Sequence, residues 1–376
     1  MDLVELLAER YKSLRSLQLQ FGPLNVLIGG NAAGKSNILD ALRFLAEAMR
    51  ERDFVGPVTA RGGLLHLAWK GEEAFEIILR TSFRDGDRRI DWRVSLERRG
   101  YDFRVRETVH ESLQDQAPRQ LVECLDGSGW WWSEQAKQVP LKLAPTACAL
   151  AAAAADASFA ARDVAGFIER WGFYDPSPSL LRRASSSDKA PSLDPFGRNL
   201  AARLYTLSKT DPGAFQAIIA ATRGVLGLPE SIEFRVSDQR DSVYFVQEEE
   251  GLEFRVHQVG ASSGTLRMLA LMTGLFGNTE AGLIGIEEPE NQVHPAALQA
   301  FAEYLRTATE RLQLIVTTHS PILLNCLSIP EAVCVVRRTA NGTWAQREDN
   351  PTAVQSALQE SGFGLGEFHE TKGFGV

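Results

Sequence analysis

The chain has 376 residues, 44% of them hydrophobic, and a formal net charge of −8. That is ordinary globular composition with room for one large domain or two smaller ones. It excludes a whole-protein basic field for nucleic acid, though not a local patch.

No apolar run approaches the roughly 20 residues of a membrane span. The N-terminus MDLVELLAERYKSLRSL carries acids early and no small-residue cleavage site, so it is not read as a secretory signal. Cys124, Cys148, Cys326 and Cys334 are scattered, with neither a CxxC pair nor a disulfide framework. A reduced, cytoplasmic setting is the expectation.

In chain order, PLNVLIG reads as a buried strand and SNILDALRFLAEAMRER as an amphipathic helix. From Phe75 to Glu107 the runs FEIILRTSF, RIDWRVSLERRG and YDFRVRE alternate apolar and polar residues. Asp85-Gly86-Asp87 and Arg99-Gly100 separate them, which predicts antiparallel hairpins. GSGWWWSE is expected to end this β region. ACALAAAAADASFAARDVAGFIERW predicts a helix broken near Gly166. A Pro- and Ser-rich loop follows, then helices joined at Asp211-Pro212-Gly213, then the strand-like runs DSVYFVQEEE and GLEFRVHQVG. The last elements are a helix from about Ser263, the strand GLIGIEE, a helix from Pro295 to about Arg311, the strand LQLIVTTHS, and a hairpin in EAVCVVRRTANGTWAQRE. There is no internal repeat and no sustained heptad pattern.

Gly29-x-x-x-x-Gly34-Lys35-Ser36 fits the phosphate-binding P-loop pattern in full. Backbone N–H groups converging on a phosphate need residues that tolerate unusual φ/ψ, which Gly29, Gly30 and Gly34 provide. The following helix aims its N-terminus at the same phosphates. Lys35 is assigned to the β and γ oxygens and the Ser36 hydroxyl to Mg²⁺. The strand Leu283–Ile286 ends in Glu287 and Glu288. In a P-loop enzyme such an acid holds Mg²⁺ through water, and the next one activates the attacking water. Glu287 is one methylene longer than the usual Asp. Ser262, Ser263 and Gly264 read either as an anion-facing helix start or as a plain N-cap. His319, at the end of a strand, reads as a γ-phosphate contact or as a turn-capping histidine.

These four segments, in this order, resemble the ABC-type ATPase head shared by the SMC and RecF proteins and the OLD family. The chain is most similar to the stand-alone RecF-like ATPases of bacteria, with their LxVLIGxNGxGKSN, LSDGTLR, EEPENxxHP and TTHSP stretches. The resemblance extends to FIERWGFYDPSP and GRNLAARLYTL and is weakest from about 110 to 160. It implies an α/β P-loop NTPase with a mixed sheet, an N-terminal antiparallel β region and an inserted compact helical lobe. The expected segments are 1–110 (Walker A and β region), 111–230 (mainly helical lobe) and 231–376 (signature, Walker B, D-loop and switch histidine).

By the same resemblance, Gly29, Gly30, Asn31, Ala32, Ala33, Gly34, Lys35, Ser36 and Asn37 take the Walker A positions. Glu287 takes the Walker B acid, Glu288 the catalytic glutamate, Ser262 and Gly264 the signature, Pro289 to His294 the D-loop and His319 the switch histidine. ATP and Mg²⁺ are the implied ligands, and an ATP-sandwich homodimer the implied assembly. Ala261 and Ser263 depart from the usual Leu and Asp of the signature, which bears on dimer closure. The Q-loop glutamine stays open among Gln114, Gln116 and Gln120. The long interval between Walker A and signature and the strand-rich start YKSLRSLQLQFGPLNVLIG argue against a transporter ATPase. The lack of heptads argues against a long SMC arm.

Three roles compete. One is DNA maintenance or anti-phage defence with a separately encoded nuclease or other effector. Arg80, Arg84, Arg88, Arg89, Arg98, Arg99 and Arg104 then offer a DNA-contacting face, or else a solvated sheet face interleaved with acids. A second is an OLD-type nuclease, disfavoured because the segment after TTHSP is short and lacks clustered acids. A third is a slow-turnover, nucleotide-dependent interaction module without nucleic-acid contact. GWWWSE would be its docking surface, unless those rings pack into a core.

Overall fold

The computed structural model describes all residues except 72–75, 101, 115, 136, 187, 238–241, 372 and 375–376. Phe75, Tyr101 and Asp241, expected as strand starts, lie outside the described residues. The chain forms two compact units, a division that differs from the three consecutive segments expected. One is Met1–Trp171 with Glu331–Pro351, and the other is Gly172–Pro330 with the segment from Thr352 onward.

The first unit is built on an eight-stranded antiparallel sheet. Its order is Leu14–Gln20, Asp2–Tyr11, Glu76–Asp85, Arg88–Arg99, Asp102–Leu113, Arg119–Leu125, Ser128–Trp132 and Gln138–Lys142. In Arg88–Arg99 the residues Ile90, Trp92, Val94 and Leu96 alternate onto the buried face, as period 2 requires. Helix Lys35–Glu51 buries Ile38, Leu39, Leu42, Phe44, Leu45 and Met49. Ring contacts knit this interior, among them Tyr11–Phe44 at 5.9 Å, Phe83–Phe167 at 6.1 Å and Trp131–Phe159 at 5.6 Å. Strand Leu24–Ile28, buried at every residue, runs parallel to Val333–Thr339, which forms a hairpin with Gly342–Arg347.

The β region does not end at GWWWSE, nor a helical lobe begin at 111. Strands continue to Lys142. Pro140 lies on the final strand, which has a neighbour on one side only and so can accept a residue without an N–H. The alanine-rich helix breaks between Ala154 and Arg162 rather than near Gly166, which sits inside helix Arg162–Glu169. Asp156 accepts hydrogen bonds at 2.8 Å from both the backbone N–H and the hydroxyl of Ser158, a local turn that competes with the helix.

The second unit holds a parallel trio, Gly172–Tyr174, Leu283–Glu287 and Gln313–Thr317. Helix Ser263–Phe276 is buried along 11 of its residues. Helices Leu200–Thr210 and Pro212–Leu226 meet at Asp211, whose carboxylate accepts the Ala214 N–H at 2.9 Å. Strand Ser231–Ser237, not expected from sequence, pairs antiparallel with Ser242–Glu248. Of the run GLEFRVHQVG only Val256–His257 forms a strand. Among the described residues no helix is long and apolar enough to cross a membrane.

Two buried carboxylates carry pH dependence. Asp40, on the helix after the P-loop, meets Lys12, Arg43 at 2.7 Å, Arg61 at 2.9 Å and the Tyr11 hydroxyl at 2.7 Å. Burial pushes its carboxyl up, but the hydrogen bonds and charges of Arg61 and Lys12 outweigh burial and hold it well below the usual carboxylate range. Its folded value lies under its unfolded one, so the stabilisation is complete above about pH 4 and is lost as pH falls further. Asp40→Ala is expected to cost roughly 3 kcal/mol in urea unfolding at neutral pH, the low end for a broken buried pair, because Glu47 still faces Arg61 at 2.5 Å and Arg43 at 3.7 Å.

Glu107 is fully buried under helix Ala149–Ala154, accepting from the Trp92 indole at 2.9 Å and from the backbone N–H groups of Ala149 and Leu150. Burial outweighs these donors and raises its carboxyl to about 7. The folded chain then keeps a proton that the unfolded chain has lost, so stability falls as pH rises toward about 7. Glu107→Gln is expected to flatten the change in unfolding free energy between about pH 5 and 8. An unchanged slope would assign the dependence to another group.

Candidate functional site

In the first unit the P-loop leaves strand Leu24–Ile28 and enters helix Lys35–Glu51. Two glycines are forced. Gly29 has φ +148° and a Cβ there would lie 2.0 Å from the Val336 carbonyl oxygen; Gly34 has φ +111° and its Cβ would lie 2.1 Å from the Thr343 hydroxyl oxygen. Above Gly30 a Cβ would meet nothing within 4 Å, so that side of the loop is open. Ala32 adopts φ 58°, left-handed backbone that costs an L-residue about 1–2 kcal/mol. Lys35 is buried, its ammonium donating to the carbonyl oxygens of Gly29 at 2.8 Å and Gly30 at 3.2 Å. Asn31 and Ser36 are exposed.

A side-chain relay fixes this loop. The Asn37 amide donates to the Ser13 hydroxyl at 2.7 Å, Ser13 and Thr343 hydroxyls lie 2.7 Å apart, and Thr343 donates to the Ala33 carbonyl at 2.9 Å. Thr343 has a single hydroxyl hydrogen, already committed to Ala33, so Ser13 donates to Thr343. The Asn37 side chain is therefore engaged within the fold. Sequence reasoning missed Ser13 and Thr343, which stand 330 positions apart and carry no local signature.

In the second unit Glu287 pairs with Thr317 across the parallel trio, and Glu288 follows at φ 42°. The Glu288 N–H donates to the Thr317 carbonyl at 3.0 Å. Its carboxylate accepts the Asn291 amide at 2.8 Å and lies 3.3 Å from His319 Nε2. Glu290 accepts from the Thr318 hydroxyl at 2.6 Å and the His319 N–H at 2.9 Å, which fixes the turn bearing the histidine. Arg267, buried on helix Ser263–Phe276, donates to the carbonyls of Glu287 at 2.9 Å, Glu288 at 3.0 Å and Pro176, and pairs with Asp175 at 3.3 Å. The unit thus brings together Glu287, Glu288 and His319. Arg267 and Glu290 are the positioning residues the sequence reading did not single out.

Ser262 caps its helix, accepting the Thr265 N–H at 3.0 Å, so the plain N-cap role is realised. Arg182 donates to the Ser263 hydroxyl at 3.0 Å and the Ala261 carbonyl at 3.1 Å. At Gly264 a Cβ would lie 2.7 Å from the Gln292 carbonyl, so the helix start lies directly on the Pro289–His294 turn.

Gln114 and Gln116 lie exposed after strand Asp102–Leu113, and Gln120 lies on the next strand. Of the arginine face, Arg80 pairs with Glu5, Arg88 with Glu111 and Asp163, Arg89 with Asp91, Arg99 with Glu97 and Arg104 with Asp126. Trp131 packs in the core while Trp130 and Trp132 are half-buried. Among the described residues no group of three or more His, Cys, Asp or Glu could hold a metal ion by itself.

A protein family described as "AAA domain, putative AbiEii toxin, Type IV TA system" matches residues 24–125 and 141–325. Among solved structures, the chain is similar to an SMC head bound to the C-terminal winged-helix domain of ScpA. Identity is 12%, 94% of this chain and 100% of that one are covered, and the TM-score is 0.59. It is also similar to an Smc head with an extended coiled coil, bound to the C-terminal domain of ScpA, derived from Pyrococcus furiosus. There the identity is 12%, coverage 96% and 99%, and the TM-score 0.55. At such identity the likeness establishes the fold, that of a P-loop ABC-type ATPase head. No curated protein matches significantly.

Thr343→Val keeps the side-chain shape but leaves the Ala33 carbonyl and the Ser13 hydroxyl without their partner. A stability loss of about 1–3 kcal/mol is expected, with weaker nucleotide binding, while Thr343→Ser restores both. Urea unfolding and nucleotide titration of the two variants check this.

Proposed function

This chain belongs to that AAA-domain family as an SMC/RecF-like ABC-type ATPase, and from that premise we propose that it hydrolyses ATP to ADP and phosphate with Mg²⁺. We read it further as a switch in which ATP joins two copies and hydrolysis releases them. The observation that supports this most is Glu288. It follows the last residue of strand Leu283–Glu287, and its carboxylate accepts the Asn291 amide at 2.8 Å and lies 3.3 Å from His319 Nε2, which supports the pairing of an acid with a histidine that the reaction needs.

The residues fit the ligands. Hard oxygen donors, the Ser36 hydroxyl and the Glu287 carboxylate, suit Mg²⁺, which when bound neutralises phosphate charge. Lys35 and the N-terminus of helix Lys35–Glu51 carry the phosphates. Glu288 orients a water and takes its proton as that oxygen forms its bond to the γ-phosphorus and ADP departs. His319 positions the Glu288 carboxylate. Ser262 and Gly264 supply the signature to the other copy's nucleotide.

For the role, the family description names an AbiEii-type toxin of type IV toxin–antitoxin systems. On that ground we favour anti-phage defence or DNA maintenance through a separately encoded effector. Five of the seven candidate arginines already face carboxylates, which weakens direct DNA contact by that sheet.

Lys35→Ala is expected to abolish ATP binding. Glu288→Gln is expected to keep ATP binding, to lose hydrolysis by roughly 10²- to 10⁴-fold, and to accumulate as an ATP-bound dimer in light scattering. Unchanged hydrolysis in Glu288→Gln would remove this residue from the chemistry. A variant that binds ATP yet stays monomeric would overturn the switch.

A further inference from the structure

Two surfaces of the chain complement each other in both charge and apolar character. In the second unit, the turn after strand Ser242–Glu248 carries Glu249, Glu250, Leu252, Glu253 and Phe254. Phe254 is 79% exposed and Leu252 53%. Arg255, the cation within this turn, is engaged with Glu233 at 2.5 Å. Among the described residues neither Glu250 nor Glu253 has a partner. The result is an acidic tip with an aromatic end, on a chain segment that runs through Val256–His257 into the Ser262 cap.

In the first unit, a groove of about 620 Å³ has Glu9, Arg10, Arg15, Asn341, Thr343 and Trp344 among its lining residues. Trp344 is 40% exposed, and the Arg337 guanidinium lies 5.1 Å from its ring centroid. Arg15 donates to the Asn341 amide oxygen at 3.0 Å. Arg10 lies 3.5 Å from Glu76 and 3.9 Å from Glu9, pairs that an incoming acid would share. Arginine with an accessible indole is the composition of an interface anchor. Thr343 holds the P-loop through Ala33, so the groove borders the loop's own support.

We propose that the acidic tip Glu249–Phe254 of one copy seats in this arginine- and tryptophan-lined groove of a second copy. Glu250 and Glu253 face Arg10 and Arg15, and Phe254 covers Trp344. The contact rests on the reading that ATP pairs two copies. A second copy is favoured over an unrelated occupant because the chain itself presents the matching acids and aromatic ring, next to the segment that the paired state brings over the partner's P-loop. By symmetry the contact forms twice.

Charge reversal tests it in the Glu288→Gln background with ATP and Mg²⁺, read by light scattering, with ATP binding followed separately. One variant carries Glu250→Lys and Glu253→Lys, the other Arg10→Glu and Arg15→Glu. Each alone is expected to pair on the order of tenfold or more weakly, since like charges then face each other at both contacts. Mixed together they are expected to pair as the unreversed protein does, because both contacts in the mixed dimer regain opposite charges. Pairing of either variant alone at the unreversed strength overturns the contact while leaving the dimer in place. Weakened pairing without rescue in the mixture overturns it as well. If the unreversed protein binds ATP and stays monomeric, the dimer reading itself fails and takes the contact with it. Loss of fluorescent oligonucleotide binding in the arginine variant, with pairing unchanged, would assign the groove to nucleic acid instead.

Discussion

The P-loop cannot support itself. A loop whose backbone N–H groups turn toward a phosphate gives up the ladder bonds that hold ordinary backbone, and its carbonyls must be anchored from behind. Here that anchor is the chain of donors from Asn37 through Ser13 and Thr343 to the Ala33 carbonyl. Each hydroxyl both accepts and donates, so the order is directional and the loop has one resting shape. Gly29 and Gly34 are fixed by the same closeness, since the Val336 carbonyl and the Thr343 hydroxyl occupy the space a Cβ would need. The buried Asp40 cluster secures the helix one turn further along.

The acidic strand end uses a parallel logic with a charged donor. Arg267 binds the carbonyls of two consecutive residues, Glu287 and Glu288, and so fixes the backbone that carries both carboxylates. It extends from the helix that begins at the Ser262 cap, so the helix start and the acids are tied by one guanidinium. Its Nη2 faces both carbonyls while Nη1 donates to the Pro176 carbonyl, a planar fork that a lysine ammonium lacks. Glu290 does the same for the histidine turn through the Thr318 hydroxyl and the His319 N–H.

The sequence pattern misled where local signals compete. Three tryptophans beside Gly129 read as the end of a β region, yet Val139 and Leu141 continue the sheet across a proline. The alanine run favoured a helix reaching a break near Gly166, and the Asp156–Ser158 turn, a weak signal in polar residues, broke it earlier. Strand Ser231–Ser237 has a mixed pattern, and pairing with Ser242–Glu248 decided it. The arginines of the β region were legible as basic but not as neutralised, because Glu5, Glu111 and Asp126 come beside them only when strands are in register.

By itself the sequence determined the chemistry on offer. Gly29 to Ser36, the acids Glu287 and Glu288, and His319 sit within short segments whose residue types and spacing were legible in the sequence as the phosphate-, cation- and water-facing groups that the proposed activity calls for. Only the tertiary structure decided how those segments are held. Ser13 and Thr343 meet across 330 positions, and Arg267 reaches back to Pro176 across 91. Such pairings leave no periodic or local trace, because a hydrogen bond constrains two atoms in space and places no condition on the distance between them along the chain.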